Sequence, residues 1–390
     1  MFIIKYLRYY ISTLTLIIGL YLCLGIQNGP TILFLGFSLL IIVGDILLKE
    51  EESRFKYSYP FFLNLPMYIN LPILILFLLM TITLFSQSVT RDSIILEYLN
   101  IDLNSVRANL LIIDKISLVA ISSLFIGVMG TVPGHELVHR KAKKFDMLIG
   151  NWLLSLSWDC AFAIEHVYGH HKNVGLSIDP ATAKRGENIY RFIIRAIVKE
   201  QKDAWKIFLS QNKKSNGSFL SLENKIITGY LRSLFVTFSA YIIGGVEGMI
   251  IFLLCAFIAK SLLEVINYTE HYGLVRVPGK KVRPHHSWNS NSVMSSIFLY
   301  NVTRHSSHHE KASLKYWELH PYKGAPMMPY GYLSMLYLAI FLSPVFHRLM
   351  CKKLVEWDSK FASKSERILA EDQNLNSGLS LLQKNSQAFI

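Results

Sequence analysis

The sequence predicts an all-α integral membrane protein, with six transmembrane helices and a histidine-rich metal site on the cytoplasmic side. Three observations lead there. Hydrophobic residues make up 52% of the 390-residue chain, and only 17% are charged, against about 25% in a soluble domain. Mean hydropathy is +0.33, and several apolar runs approach the ~20 residues that a helix needs to cross a bilayer. Nine histidines fall into four tight groups: HELVH, HVYGHH, NYTEHYGL and HSSHH.

The spans follow in order. Residues 9–26 form the first and 31–48 the second, parted by the turn Gln27-Asn28-Gly29-Pro30. Residues 66–85 form the third and 116–133 the fourth. Residues 229–266 are about twice the length of one span. Gly244-Gly245 and Glu247 lie near the middle, which predicts two spans, 229–245 and 246–266, joined by a tight hairpin. The first span has no small-residue cleavage site after it and reads as an anchor, not a removable signal. Residues 147–164 are expected to be re-entrant or interfacial, and 332–350, interrupted by Pro344, to be buried or interfacial. Residues 189–208 carry Phe192, Ile193, Ala196 and Ile197 at helical spacing among Arg191, Arg195, Lys199, Lys202 and Lys206. That pattern suits a helix lying on a membrane surface. The membrane domain then occupies 1–350, and 351–390 is a polar cytoplasmic tail, expected to be mobile from Ser359.

Charge sets the orientation. Arg140, Lys141, Lys143 and Lys144 follow the fourth span at once, and 172–225 carries eleven Lys or Arg. The 86–113 loop carries only Arg91 and Arg107. The positive-inside rule puts both termini in the cytoplasm of a multi-pass protein of the cell's inner membrane. All four histidine groups then meet one face. The same loops account for the net charge of +13 as surfaces facing anionic lipid, so nucleic-acid binding is not expected. Cys23, Cys160, Cys255 and Cys351 are scattered with no CxxC pair, which excludes a disulfide framework and a fused cysteine-ligated redox module.

Imidazole is the commonest protein metal ligand. His135 and His139 are i,i+4 and share a helix face. With Glu136 they also match the HExxH pattern of zinc hydrolases, but seven further histidines exceed what a single catalytic zinc uses. In a regular helix His166 and His170 share a face, and His171 is turned away by about 100°. His305 pairs with His308 and His309 within one turn, and His271 closes the last span. Adjacent histidines diverge, so a doublet is suited to two neighbouring ions. Imidazole-only ligation suits Fe, Cu, Zn or Ni, and nine ligands fill two ions with room for dioxygen. Glu136, Glu165, Asp179, Glu270 and Glu310 lie beside the groups and are expected to accept the far ring N–H. Glu264, two turns before His271, is expected to support the site, with Lys260 at i−4 neutralising it. Asp45 is a weaker candidate of the same kind. A membrane transporter would need ionisable groups along a path near the bilayer midplane, and here the ligands cluster beyond one end.

HELVH, EHVYGHH and RHSSHH resemble the histidine boxes of the membrane fatty acid desaturase/hydroxylase superfamily. NYTEHYGL and HHSWNSN resemble the signature of the alkane 1-monooxygenase family and its xylene-oxidising relatives. The resemblance runs from about Gly134 to Tyr332. It implies a non-haem di-iron hydroxylase with two Fe ions, O2 as oxidant, a hydrocarbon drawn from the bilayer as substrate, and rubredoxin with its reductase as electron donor. By the match, His135, His139, His166, His170, His171, His271, His305, His308 and His309 are the iron ligands. His286, inside HHSWNSN, is a support, and His285, His320 and His347 are structural. HELVHR in place of HELGHK, and the apolar Val174–Ile178 stretch before Asp179, leave open which hydrocarbon is oxidised. Hydroxylation of an alkane terminus leads, with methylarene side-chain oxidation and acyl-lipid desaturation or hydroxylation as alternatives.

Overall fold

Apolar runs of this length have one low-energy form away from water, because a helix satisfies every backbone N–H and C=O within itself. The computed structural model describes residues 4–86, 102–215 and 224–387, and among them it is built from helices with a single isolated bridge, Asn289 to Met327. Arg91, used above for orientation, lies outside the described residues. The helices that matter below are α1 (Tyr10–Gly25), α2 (Gly29–Leu47), α3 (Pro60–Phe85), α4 (Ile112–Val138), α5 (Lys144–Ser155), α6 (Ile189–Ser215), α7 (Lys225–His271), α8 (His305–Glu310), α9 (Tyr332–Phe341), α10 (Ser343–Lys360), α11 (Lys364–Asn376) and α12 (Ser380–Gln387). Four of them, α2, α3, α4 and α7, are long and apolar enough to cross a membrane, while α1 and α9 are shorter apolar helices. Large apolar side chains stand exposed on these helices, among them Ile17, Leu35, Leu39, Ile116, Phe235 and Ile242. Water would penalise such a surface and lipid does not, so this is a membrane protein.

The chain divides into two units, Met1–Leu40 with Phe55–Cys160 and Ile227–Lys260, and Ile41–Arg54 with Ala161–Ile226 and Ser261–Ile390. In the first, α1, α3 and α4 pack closely. A Cβ on Gly19 would fall 3.0 Å from Phe77 and 3.1 Å from Phe125, so the small residue lets the aromatic pair sit against the backbone. The side chains of Thr13 and Asn70 bond at 2.7 Å, and the Asn70 amide donates to the carbonyl of Met129 at 3.2 Å. That carbonyl lies in a π-helical turn, Ile126–Thr131, inside α4. A π turn loosens the regular backbone ladder and is found often at functional sites.

Helix α7 is two helices. Gly245 adopts φ 61°, ψ −154°, a region open essentially to glycine alone. A Cβ on Gly248 would sit 2.8 Å from the carbonyl oxygen of Ala240, whereas eight residues of continuous helix span about 12 Å. The chain therefore reverses here, as the Gly244-Gly245 pair predicts.

The second unit differs from the sequence reading at its C-terminus. In place of a mobile tail there are helices α11 and α12, with Glu366, Asn374 and Leu382 buried. Arg185 explains the docking. Its guanidinium donates to both carboxylate oxygens of Asp358 at 2.7 Å, to Asn374 at 2.6 Å and to the carbonyl of Gly273 at 2.9 Å. Asp45 is another difference. Its carboxylate accepts from the backbone and hydroxyl of Ser295 and Ser334 and from the hydroxyl of Ser292, so it fastens backbone and has no capacity left for a distant ligand.

Candidate metal centre

In the second unit the nitrogens of His170, His271, His305 and His309 all lie within 4.8 Å of one another, and all four rings are buried. Nε2 of His305 is 3.1 Å from Nε2 of His271 and 3.0 Å from Nε2 of His309. The far nitrogens decide what this means. Nδ1 of His170 faces Asp179 at 3.0 Å, Nδ1 of His271 faces the carbonyl of His286 at 3.2 Å, and Nδ1 of His305 faces the carbonyl of Val302 at 3.3 Å. Carboxylates and carbonyls only accept, so each Nδ1 carries the proton and each Nε2 presents a lone pair. Three lone pairs pointed at one another repel, unless a cation lies between them. Nε2 of His170 is buried with no hydrogen-bond partner among the described residues. This donor set fits a metal ion.

His166, His171 and His308 sit beside it in the same unit. Nε2 of His171 is 3.2 Å from Nε2 of His166, and the His171 and His308 ring centroids are 4.7 Å apart. Both doublets therefore split. His170 and His309 turn toward one set, His171 and His308 toward the other. Burial beside the His170 ring pushes the His308 ring down to about 3, and burial among His171 and His305 holds His309 well below its usual value. Both rings stay neutral, the form that binds metal.

The local backbone departs from the regular-helix expectation. Residues His166–His170 form a π turn between short helices at Phe162–Glu165 and His171–Asn173. A π turn brings i and i+5 together, so the nitrogen of His166 meets that of His171, where regular geometry pairs His166 with His170. Gly169 leaves room there for the buried Glu165, whose Oε1 would fall 2.5 Å from an added Cβ. The loop that follows is clamped by Arg276, which donates to the carbonyls of Val174, Lys172 and Lys280 at 2.7, 2.7 and 2.5 Å. That clamp sets Asp179 against His170. Burial pushes the Asp179 carboxyl up, but His170 and the Thr182 hydroxyl outweigh it and hold the group below its ordinary value.

In the first unit His135 lies on α4 and His139 caps its C-terminus, with ring centroids 4.9 Å apart. A Cβ on Gly134 would meet Leu154 at 3.0 Å and the carbonyl of Gly150 at 3.2 Å, so two glycines let α4 and α5 approach closely and hold the histidine pair. Glu136 between them is not a free general base. Its Oε1 accepts from Nε and Nη2 of Arg140 at 3.1 and 2.6 Å, and Arg140 also donates to Asn64 at 2.6 Å and Asp146 at 3.3 Å. The zinc-hydrolase reading needs that carboxylate to reach a water.

The other carboxylates divide. Glu270 Oε1 lies 3.3 Å from Nδ1 of His305. Glu264 is fully buried and accepts from Asn267 at 3.2 Å. Lys260, expected to neutralise it, pairs with Asp159 at 3.0 Å, an acid the sequence reading passed over. Glu310 is exposed at the end of α8. The HHSWNSN stretch works through Asn289, whose amide donates to the Ser306 hydroxyl at 2.7 Å and whose Oδ1 accepts from the Ser306 backbone at 2.9 Å, fixing the start of α8. His286 donates from Nε2 to Glu366 at 2.7 Å while its Nδ1 accepts from the backbone of Arg283 at 3.0 Å. His285 lies 3.4 Å from the same carboxylate, His320 bonds Ser307 at 3.2 Å, and His347 bonds Tyr272 at 2.6 Å. Sequence reasoning missed Glu366, although Ser363-Lys364-Ser365-Glu366 is a capping box whose reciprocal bonds α11 makes.

A fatty acid desaturase family model matches residues 116–339. Among characterised proteins, the chain is 36% identical over 233 residues to alkane 1-monooxygenase 1 of Pseudomonas aeruginosa, covering 58% of this chain and 60% of that one. It is 36% identical over 250 residues to the alkane 1-monooxygenase of Acinetobacter baylyi, covering 63% and 60%. It is 32% identical over 253 residues to the hydroxylase component of a xylene/toluene monooxygenase of Pseudomonas putida, covering 64% and 67%. The match spans about 60% of the length of the two alkane relatives. With more than half its length matched by the family model and its buried histidines gathered for metal, the chain belongs to the fatty acid desaturase family.

Proposed function

We propose that this chain is an alkane 1-monooxygenase of the inner membrane, hydroxylating a terminal methyl group: R–CH3 + O2 + 2 e− + 2 H+ gives R–CH2OH + H2O. The observation that carries the reading is the set of converging Nε2 lone pairs on His170, His271 and His305, each fixed by an oxygen acceptor on its far nitrogen. His309 joins that set through its Nε2, 3.0 Å from Nε2 of His305; a second set, His166, His171 and His308, stands beside it, and His135 and His139 complete a ligand complement of nine for two irons. Bound there, the irons supply the oxidising power drawn from O2 that an unactivated C–H bond requires.

The chain's own residues supply the rest. Asp179 and the carbonyls of His286 and Val302 hold the ring tautomers. Burial of the rings excludes water. An alkane offers no polar handle, so position comes from shape, and substrate arrives from the bilayer, into which it partitions by about 0.8 kcal/mol per CH2. Six spans, with α7 counted as two, place both termini and the histidines on the cytoplasmic side, where rubredoxin, recharged by its reductase, delivers electrons. The membrane domain covers 1–350, and 351–390 is a cytoplasmic C-terminal segment.

Methylarene oxidation is the second reading, favoured by the xylene/toluene relative, of which the match covers 67%. Membranes carrying the chain, supplied with electrons from rubredoxin, are offered labelled alkanes, methylarenes and acyl lipids. Primary alcohol from alkane, iron in the purified protein, and loss of both in His271→Ala are expected. Product only from methylarene moves the assignment to the second reading, and zinc in place of iron overturns both.

A further inference from the structure

Helix α6 (Ile189–Ser215) sorts its residues into three arcs. At about 100° per residue, Phe192, Ala196, Glu200 and Ala204 share one side and are buried. Tyr190, Ile194, Val198 and Leu209 fall within an arc of about 100° on the opposite side and are between 43% and 57% exposed. Trp205 lies inside that arc and is half-buried. The next arc around the helix is basic. Arg191, Lys202, Lys206 and Lys213 are exposed there and Lys199 is half-buried. Among the described residues, Asp203 answers these five, pairing with Lys206 at 2.7 Å. Arg195, on the same arc, is folded back onto Glu187 at 2.7 Å.

Tyr190 has a partner in the fold, its hydroxyl donating to the carbonyl of Ile340 at 2.7 Å, but a helix with one side packed on its own protein has no folding reason to keep Ile194, Val198 and Leu209 exposed along a line. A charged border on one edge of that line is the pattern of a helix lying in a membrane interface, its apolar arc about 5–10 Å into the headgroup–acyl boundary. We propose that α6 is a lipid-contact surface selective for anionic phospholipid. Tyr190, Ile194, Val198, Trp205 and Leu209 enter the boundary, and Arg191, Lys199, Lys202 and Lys213 bind headgroup phosphates. Lys206 contributes less, because Asp203 already engages it. The surface is separate from the histidine site and stands whether or not the proposed reaction does.

The test uses the full chain in phosphatidylcholine bilayers with increasing phosphatidylglycerol. Trp205 is read as the difference between wild type and Trp205→Phe in quenching by lipid brominated near the headgroup. Quenching should appear and rise with anionic lipid. Each of Lys202→Gln and Lys213→Gln should weaken the association about fivefold at a given phosphatidylglycerol content, shifting the quenching curve to higher phosphatidylglycerol, as expected for ~1 kcal/mol per basic group near the surface. A spin label at Val198→Cys, selective because the four native cysteines are buried, should become accessible to oxygen and shielded from a polar nickel chelate. Absence of Trp205 quenching together with a label open to the chelate in every bilayer would overturn lipid contact. Quenching that ignores both phosphatidylglycerol and the lysine substitutions would overturn the anionic selectivity.

Discussion

Glu366 bonds His286 at 2.7 Å, and the carbonyl of that same histidine accepts from Nδ1 of His271 at 3.2 Å. The C-terminal helix thus bears on an imidazole at the end of the membrane helix α7 through one intervening residue. Glu366→Ala leaves His286 without its acceptor in a buried setting, which costs about 1–3 kcal/mol. The expected outcome is a lower melting temperature and altered iron spectroscopy, with Glu366→Gln restoring most of both. A Glu366→Ala protein with unchanged spectrum would separate the tail from the site.

The same carboxylate sets a pH dependence. Burial pushes Glu366 up, but bonds from His285, His286 and Ser363 outweigh this and hold it well below the usual carboxylate range. A depressed carboxylate contributes stability above its unfolded value of about 4.3 and loses it as pH falls. Hydrogen-exchange protection in α11, relative to the intrinsic rate at each pH, should therefore fall on acidification below about pH 4.3, while the Glu366→Gln protein shows less change over that window. Equal responses in the two proteins would refute the assignment.

Asp179 holds His170 by a bond of 3.0 Å. Removing such a partner from a metal-binding histidine typically costs 10–100-fold in metal affinity. Asp179→Ala should release iron to a chelator about that much more readily, and Asp179→Asn, which keeps an acceptor, should fall between. Wild-type retention in the alanine variant would remove the residue from the site.

Gly245 sits where a side chain is strained by about 1–3 kcal/mol. Gly245→Ala should lower thermal stability in detergent by that order, while Gly36→Ala, at a position with open space around it, should not. Equal effects would mean that the hairpin does not depend on the glycine.

The sequence made the chemistry legible and the support partly so. Histidines are counted directly, and HELVH read as a regular helical pair lies at the end of one helix with its rings adjacent. The hairpin at Gly245 was legible because two glycines inside an apolar run have few other uses. The π turn at His166–His170 was not, since hydrophobic periodicity does not distinguish it from a regular helix. Asp159 and Arg276 stayed hidden because their partners lie about a hundred residues away. The C-terminal helices were misread for a related reason. Their composition is polar, and what docks them is Arg185, which donates to Asp358 and Asn374 across more than 170 residues.

The turn at His166–His170 has a consequence for how this motif tolerates change. Its backbone accommodates one more residue than a regular turn, which is how His170 and His171 come to face different nitrogen sets. The same five residues and doublet forced into a regular helix at full length would pair His166 with His170 and turn His171 away by about 100°. The motif is thus specified by backbone form as well as by composition: a copy retaining all three imidazoles in an unbroken regular helix would have lost the division of labour between them.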